Sequence, residues 1–110
     1  MRQYVIDQLK PEERDKIKAY LEQYCEPAGL DGMFWLHVPL EVLSETQRDH
    51  QGCQPHCVGI ELREQEVKIE FLVRSRNKIR CECIAYALPH QRDYIINFIE
   101  QMLKETKVKA

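Results

Sequence analysis

The fold is decided by residues 58–87, VGIELREQEVKIEFLVRSRNKIRCECIAYA, in which apolar and charged residues alternate. Successive side chains leave opposite faces of a β-strand, so this period of two predicts strands. The apolar face would carry Val58, Ile60, Leu62, Val67, Ile69, Phe71 and Val73. The charged face would carry Glu61, Arg63, Lys68, Glu70 and Arg74. We therefore expect one face of the sheet to meet the core and the other to meet solvent.

The alternation predicts three strands, over residues 57–63, 66–74 and 79–87. In the first hairpin, the register that best matches side chains pairs Leu62 with Val67, Glu61 with Lys68 and Ile60 with Ile69. Opposite charges then meet on the solvent face and aliphatic side chains meet inside. The second hairpin needs a loop with an odd number of residues, and a three-residue turn at 75–77 fits, because Asn77 tolerates the left-handed conformation.

Helical patterns flank this meander on both sides. Residues 11–25 predict a helix that begins at a proline, and residues 90–107 predict a longer one with apolar residues at three- and four-residue steps. Its apolar stripe would be Ile95, Phe98, Ile99, Met102 and Leu103. Between the first helix and the meander, we expect a strand at 33–38, a short helix at 39–48 and a loop at 49–56.

The predicted fold class is therefore α+β, with an antiparallel sheet of three or four strands in the order α-β-α-β-β-β-α. The N-terminal and C-terminal helices pack on the sheet, whose meander is 57–87. We expect the C-terminal stripe to cover the face that holds Phe71, Cys81 and Cys83. A length of 110 residues predicts a single domain, 1–110.

The composition of the chain disfavours some classes of function. The chain is 44% hydrophobic and 31% charged, with a net charge of −2, which disfavours general attraction to nucleic acids or anionic membranes. No apolar run approaches the length of a bilayer span, so no membrane role is predicted. The start, MRQYVIDQLKPEE, lacks a signal-peptide pattern, and the five cysteines are an odd number. Together these features predict a cytoplasmic protein with free thiols.

Histidine and cysteine side chains cluster in and beside the predicted loop 49–56. Imidazoles and thiolates are the usual ligands of zinc, so His50, Cys53, His56 and Cys57 form a candidate metal site. Cys81 and Cys83 could add two further ligands. On the predicted third strand, however, these two sulfurs face the core, whereas Cys57 falls on the charged face. The sequence thus favours core packing for Cys81 and Cys83 and no cofactor, with zinc as the alternative.

No motif of an enzyme class is present. The chain lacks a phosphate-binding glycine loop, H-E-x-x-H and G-x-S-x-G. A nucleophilic cysteine needs a nearby imidazolium or helix N-terminus, and nothing in the sequence supplies one. The sequence therefore favours a non-catalytic protein.

Two surface features could contact partners. The basic tip comprises Arg74, Arg76, Lys78 and Arg80 around the second hairpin turn. It could bind phosphates or an acidic partner, although basic residues also keep strand edges soluble. The outer patch comprises Leu72, Ile84 and Tyr86, which interrupt the polar face of the sheet. Either the chain's own helices or a second protein would cover it.

The function itself stays unknown at this level. The leading hypothesis is a small cytoplasmic, non-catalytic binding or interaction domain, with a protein partner or a second copy in a homodimer. The alternative is a zinc-binding domain that uses loop and strand Cys and His residues. A further alternative, which the net charge disfavours, is nucleic-acid contact through the basic tip.

Overall fold

The computed structural model describes residues 2–109, which form an α+β fold with seven antiparallel strands and three α-helices. The strands are β1 (Gln3–Ile6), β2 (Glu26–Pro27), β3 (Met33–His37), β4 (His56–Leu62), β5 (Val67–Glu70), β6 (Leu72–Ser75) and β7 (Ala85–Tyr86). The helices are α1 (Pro11–Tyr24), α2 (Glu45–Asp49) and α3 (Pro89–Thr106), with single 3₁₀ turns at Leu40–Val42 and Gln51–Cys53. The α+β class is confirmed.

The sheet runs in the order β1-β5-β4-β3-β2, while β6 pairs with β4 and β7. The register predicted for the first hairpin is confirmed, because β4 and β5 pair Ile60 with Ile69, Glu61 with Lys68 and Leu62 with Val67. As expected, the apolar side chains of this hairpin therefore face the core and its charged side chains face solvent.

The predicted number of three or four strands is wrong, because short strands extend both edges. Residues 3–6 pair with β5, and residues 26–27 pair with β3. Strands of four and two residues are too short for periodicity to reveal. The strand predicted at 66–74 is also interrupted at Phe71. Its N–H donates to the Arg2 carbonyl at 3.0 Å and its carbonyl accepts from the Ala87 N–H at 2.7 Å, so its backbone pairs outside the β4 ladder.

The third strand predicted at 79–87 is reduced to β7, and the three-residue turn at 75–77 does not form. Residues 76–84 instead make an irregular segment, which we call the 76–84 loop. The reason is that Ser75 and Asn77 hydrogen-bond to carbonyls of residues 52–54 rather than turning back along β6. Cys81 and Cys83 consequently lie on a loop, and the expectation that they share a sheet face with Phe71 is wrong.

The helix predicted at 39–48 is divided into a 3₁₀ turn and α2. Ser44 is the cause, since its hydroxyl accepts from the Gln47 N–H at 3.2 Å and its own N–H donates to Gln47 Oε1 at 3.0 Å. This capping box begins a new helix at Glu45. The observed order of elements is thus β-α-β-β-α-β-β-β-β-α, which replaces the predicted order.

The core lies between the sheet and the two long helices. Ile17 and Leu21 of α1 and Ile95, Ile99 and Met102 of α3 are buried in one cluster with the apolar face of the sheet. Tyr20 of α1 packs its ring 5.8 Å from that of Phe98 in α3. None of the helices in residues 2–109 is both long and apolar enough to cross a bilayer.

The turn before β3 depends on two glycines with positive φ, Gly29 at 91° and Gly32 at 80°. A Cβ on Gly32 would lie 2.5 Å from the Leu62 carbonyl oxygen, whereas one on Gly29 would meet nothing within 4 Å. Gly32 also accepts a 2.7 Å hydrogen bond from the Leu62 N–H. Close approach to β4 therefore requires glycine at position 32.

Candidate metal centre

Four side chains with metal-ligating atoms converge beside the end of α2. His50, Cys53, Cys81 and Cys83 each offer one ligand atom, and these atoms all lie within 4.8 Å of one another. The Cys53 and Cys81 Sγ atoms are 3.6 Å apart, and His50 Nδ1 lies 3.1 Å from Cys81 Sγ. Zinc–sulfur bonds of about 2.3 Å in a tetrahedron put two sulfurs about 3.8 Å apart. The separation of the Cys53 and Cys81 sulfurs is close to this value, and all four ligand atoms lie near enough to one another to reach one ion.

The first ligand pair follows directly from the end of α2. The helix stops at Asp49, and residues 51–53 form a 3₁₀ turn in which the Cys53 N–H donates to the His50 carbonyl at 3.0 Å. Side chains three residues apart in a 3₁₀ turn lie on the same side. The spacing His50-x2-Cys53 therefore brings the imidazole and the thiol to one point.

The second pair is presented by a tight turn in the 76–84 loop. The Ile84 N–H donates to the Cys81 carbonyl at 3.0 Å, which closes the turn around Glu82. The Cys83 carbonyl accepts a 3.0 Å hydrogen bond from Gln47 Nε2, and Gln47 Oε1 accepts one of 2.8 Å from Gln91 Nε2. Both glutamines are buried. This amide chain joins the turn to α2 and α3.

Hydrogen bonds also attach the start of the same loop to the first ligand pair. The Ser75 hydroxyl donates to the Cys53 carbonyl, and Asn77 Nδ2 donates to the Gln54 carbonyl at 2.6 Å. The Arg76 N–H donates to the Pro55 carbonyl at 3.0 Å. The two ligand pairs are thus held near each other by hydrogen bonds to backbone carbonyls that do not involve the sulfurs.

The His50 ring has a partner on each nitrogen. Nδ1 faces Cys81 Sγ, while Nε2 lies 3.3 Å from Glu82 Oε1. Metal-binding histidines usually donate their other ring N–H to a carboxylate, which orients the ring and makes the ligating nitrogen more basic. Glu82 occupies that position here, although the residue itself is largely exposed.

His56 lies behind the cluster and contacts one of its sulfurs. The residue is buried, its Nε2 is 3.4 Å from Cys83 Sγ, and its Nδ1 has no hydrogen-bond partner among the described residues. Burial, followed by the nearby His50, lowers the pKa of His56, so the ring is neutral. A buried N–H without an acceptor is rarer than an unpaired lone pair. A proton on Nε2 would be donated to the Cys83 sulfur, which accepts it best as a thiolate.

The thiols differ in how readily they ionise. Hydrogen bonds from Cys83, the backbone N–H first, lower the pKa of the Cys81 thiol to about 7. Burial raises the pKa of the Cys83 thiol to about 12. Several thiolates in one buried cluster need a nearby cation, because desolvation disfavours each negative charge. A divalent metal would supply that charge. Burial likewise raises the pKa of Cys25 and of Cys57 to about 12, which makes these two thiols unreactive.

The four residues of the predicted metal site, His50, Cys53, His56 and Cys57, do not come together in the structure but lie in three different places. His50 and Cys53 join the cluster, and His56 touches only its Cys83 member. Cys57 lies on β4 in register with His37 and Arg74, fully buried. The sequence offered Cys81 and Cys83 as further ligands but favoured core packing for them, whereas the structure places both beside His50 and Cys53. All five cysteines, which lie within the described residues, are free.

The basic tip is partly neutralised by neighbouring carboxylates. Arg74 Nε lies 2.9 Å from Glu70 Oε2, and Arg76 pairs with Glu26 while its guanidinium lies 5.2 Å from the centroid of the Trp35 ring. Lys78 and Arg80 are exposed, and no ion pair to a carboxylate within residues 2–109 involves either.

The outer patch is half-buried. Leu72 and Tyr86 face each other across β6 and β7, and the Arg2 guanidinium lies 4.6 Å from the centre of the Tyr86 ring. Ile84 lies apart from them, at the end of the 76–84 loop.

Comparison with known protein families, with curated proteins and with solved structures finds no match to this chain. The geometry of the cluster is therefore the best indication of function.

Proposed function

We propose that this chain is a zinc-binding domain in which His50, Cys53, Cys81 and Cys83 ligate one structural Zn²⁺. The observation that carries the proposal is the convergence of one imidazole and three thiols within 4.8 Å. Thiolate and imidazole ligands in a tetrahedron favour zinc over magnesium, calcium or manganese, which prefer oxygen.

Four protein ligands support a structural rather than a catalytic role. A catalytic zinc usually keeps one position open for water or substrate, whereas this group fills all four positions. The ion would tie the 76–84 loop to the end of α2, because one ligand pair comes from each segment. We infer that zinc stabilises a non-catalytic binding or interaction domain in a reducing compartment such as the cytoplasm, where thiolate ligands stay reduced.

Metal content is the direct test. Protein purified without an affinity tag should contain one zinc per chain by elemental analysis. After exchange, bound Co²⁺ should show the visible absorption of a tetrahedral site and a thiolate charge-transfer band. The variants Cys53→Ser and Cys81→Ser should lose both signals.

Two cysteines outside the cluster provide matched controls. Cys25→Ala and Cys57→Ala remove a thiol without touching the four ligands, so both should retain one zinc per folded chain. Zinc well below one per chain, together with stability that is unchanged in chelator, would refute the proposal.

A further inference from the structure

A groove of about 210 Å³ lies beside the charged face of the sheet, between β3 and the 76–84 loop. We call it the outer groove. Aromatic, cationic and aliphatic side chains line it, among them Trp35, Arg74, Arg76, Lys78, Ile79 and Ile84. The groove thus joins most of the basic tip with one residue of the outer patch.

The cations of the basic tip that lack a carboxylate partner among the described residues lie on the 76–84 loop. Arg74 and Arg76 have carboxylate partners, whereas Lys78 and Arg80 extend into solvent without one among the described residues. Between them lies Ile79, which is 96% exposed and is the most exposed large apolar residue in the described part of the chain. Ile79 lines the groove together with Trp35 and Ile84, so it belongs to a continuous apolar surface and is not an isolated exposed side chain.

We propose that the outer groove, with Lys78, Ile79 and Arg80, is a docking site for an acidic segment of another protein. An apolar side chain of that segment packs between Ile79 and Ile84, and flanking carboxylates pair with Lys78 and Arg80. Charge complementarity supports this partner, because the unpaired charges on the loop that lines the groove are positive on a chain whose net charge is −2. The inference rests on the proposed zinc site in one respect, since Cys81 and Cys83 hold the end of the loop.

The same contacts disfavour a nucleic acid as the occupant. Binding along a phosphate backbone needs a row of free cations, and only Lys78 and Arg80 are free in this group. The Arg76 guanidinium already lies over the Trp35 ring, so this face of the ring is not open for base stacking. Glu26 pairs with the same guanidinium and adds a negative charge beside it.

Trp35 makes the proposal directly measurable, because it is the only tryptophan of the chain and it lines the groove. Zinc-loaded protein is titrated with a synthetic peptide, Glu-Asp-Glu-Leu-Leu-Glu-Asp-Glu, while tryptophan fluorescence is recorded. A second peptide carries serines in place of the leucines, and an oligothymidylate of equal charge is the third ligand. We expect a saturable change in fluorescence with the leucine peptide and binding at least about tenfold weaker for the other two.

Charge reversal and loss of the apolar contact are tested separately. Lys78→Glu with Arg80→Glu should weaken peptide binding about tenfold or more, and Ile79→Ser should weaken it by several-fold. The control is Lys16→Glu with Arg92→Glu, which makes the same change in net charge on two exposed helix positions. This control should change binding less than about twofold.

Zinc is assayed in the same samples, which separates the two proposals. Stoichiometric zinc without peptide binding overturns the docking site alone. Peptide binding by protein that holds no zinc supports the docking site and overturns the zinc proposal. The docking site is overturned if the oligothymidylate or the serine peptide binds as tightly as the leucine peptide. It is also overturned if the control variant weakens binding as much as Lys78→Glu with Arg80→Glu, or if a second copy of the chain occupies the groove and no peptide binds.

Discussion

Replacing Gln47 by alanine should destabilise the protein strongly, because this side chain connects α2, α3 and the ligand turn. Gln47 is 2% exposed, so water does not replace lost partners. Its side chain donates to the Cys83 carbonyl at 3.0 Å and accepts from Gln91 Nε2 at 2.8 Å and from the Ser44 N–H at 3.0 Å. At about 1 kcal/mol for each buried hydrogen bond, the free energy of unfolding should fall by about 3 kcal/mol.

Urea unfolding at a fixed free zinc concentration, followed by circular dichroism, measures this loss. With an m-value of about 1.5 kcal/mol/M, the midpoint should fall by about 2 M. Zinc affinity, measured by competition with a chromogenic chelator, should fall about tenfold or more, because the carbonyl of a ligand residue loses its donor.

The matched control is Gln101→Ala, which removes an exposed glutamine whose Nε2 donates to Glu105 Oε2 at 3.2 Å on the surface of α3. It should change the free energy of unfolding by no more than about 0.5 kcal/mol. If Gln47→Ala cost no more than this control, the reasoning that the buried amide chain holds the ligand turn would be refuted.

Three further predictions follow from other contacts. Gly32→Ala should destabilise the protein at least about twice as much as Gly29→Ala. Both positions have positive φ, but only a Cβ at position 32 meets the Leu62 carbonyl. Urea titrations of the two variants measure the difference in the free energy of unfolding. Zinc affinity should fall as pH falls, and binding near neutral pH should release protons, because the Cys83 thiol, whose pKa is raised to about 12, is protonated before the metal binds. Calorimetry in two buffers of different ionisation enthalpy counts these protons, and a count of zero would contradict the assignment of thiolate ligands. Chelation of zinc should speed tryptic cleavage within the 76–84 loop, seen by mass spectrometry, while sites in the helices stay protected.

The β4–β5 hairpin could be predicted in detail because each of its residues has one clear preference. Val, Ile and Leu prefer the core, while Glu and Lys prefer water, so only one register satisfies Ile60, Glu61 and Leu62 together. The same reasoning was wrong for residues 79–87. A cysteine counts as apolar in such a pattern whether it packs in a core or ligates a metal. Cys81 and Cys83 therefore matched the alternation expected for core-facing residues of a strand.

The local sequence also gave no sign of the contacts that replace that strand. Ser75 and Asn77 bind carbonyls more than twenty residues earlier in the chain, and Gln47 reaches Cys83 and Gln91. Such side-chain hydrogen bonds leave no periodic pattern in the sequence from which they could be predicted. For the candidate site, the sequence identified the chemistry of zinc ligands and both close-spaced pairs, but joining His50 and Cys53 to Cys81 and Cys83 required the observed path of the 76–84 loop.

The position of the two ligand pairs along the chain determines when an ion can be captured during folding. All of β4, β5 and β6 lies between Cys53 and Cys81, so an unfolded chain keeps only two of the four ligands of this site close together. The complete tetrahedron exists only after the meander has formed and returned to α2. We therefore expect zinc to enter this site late in folding, and a newly synthesised chain to leave the site empty until Cys81 and Cys83 have emerged.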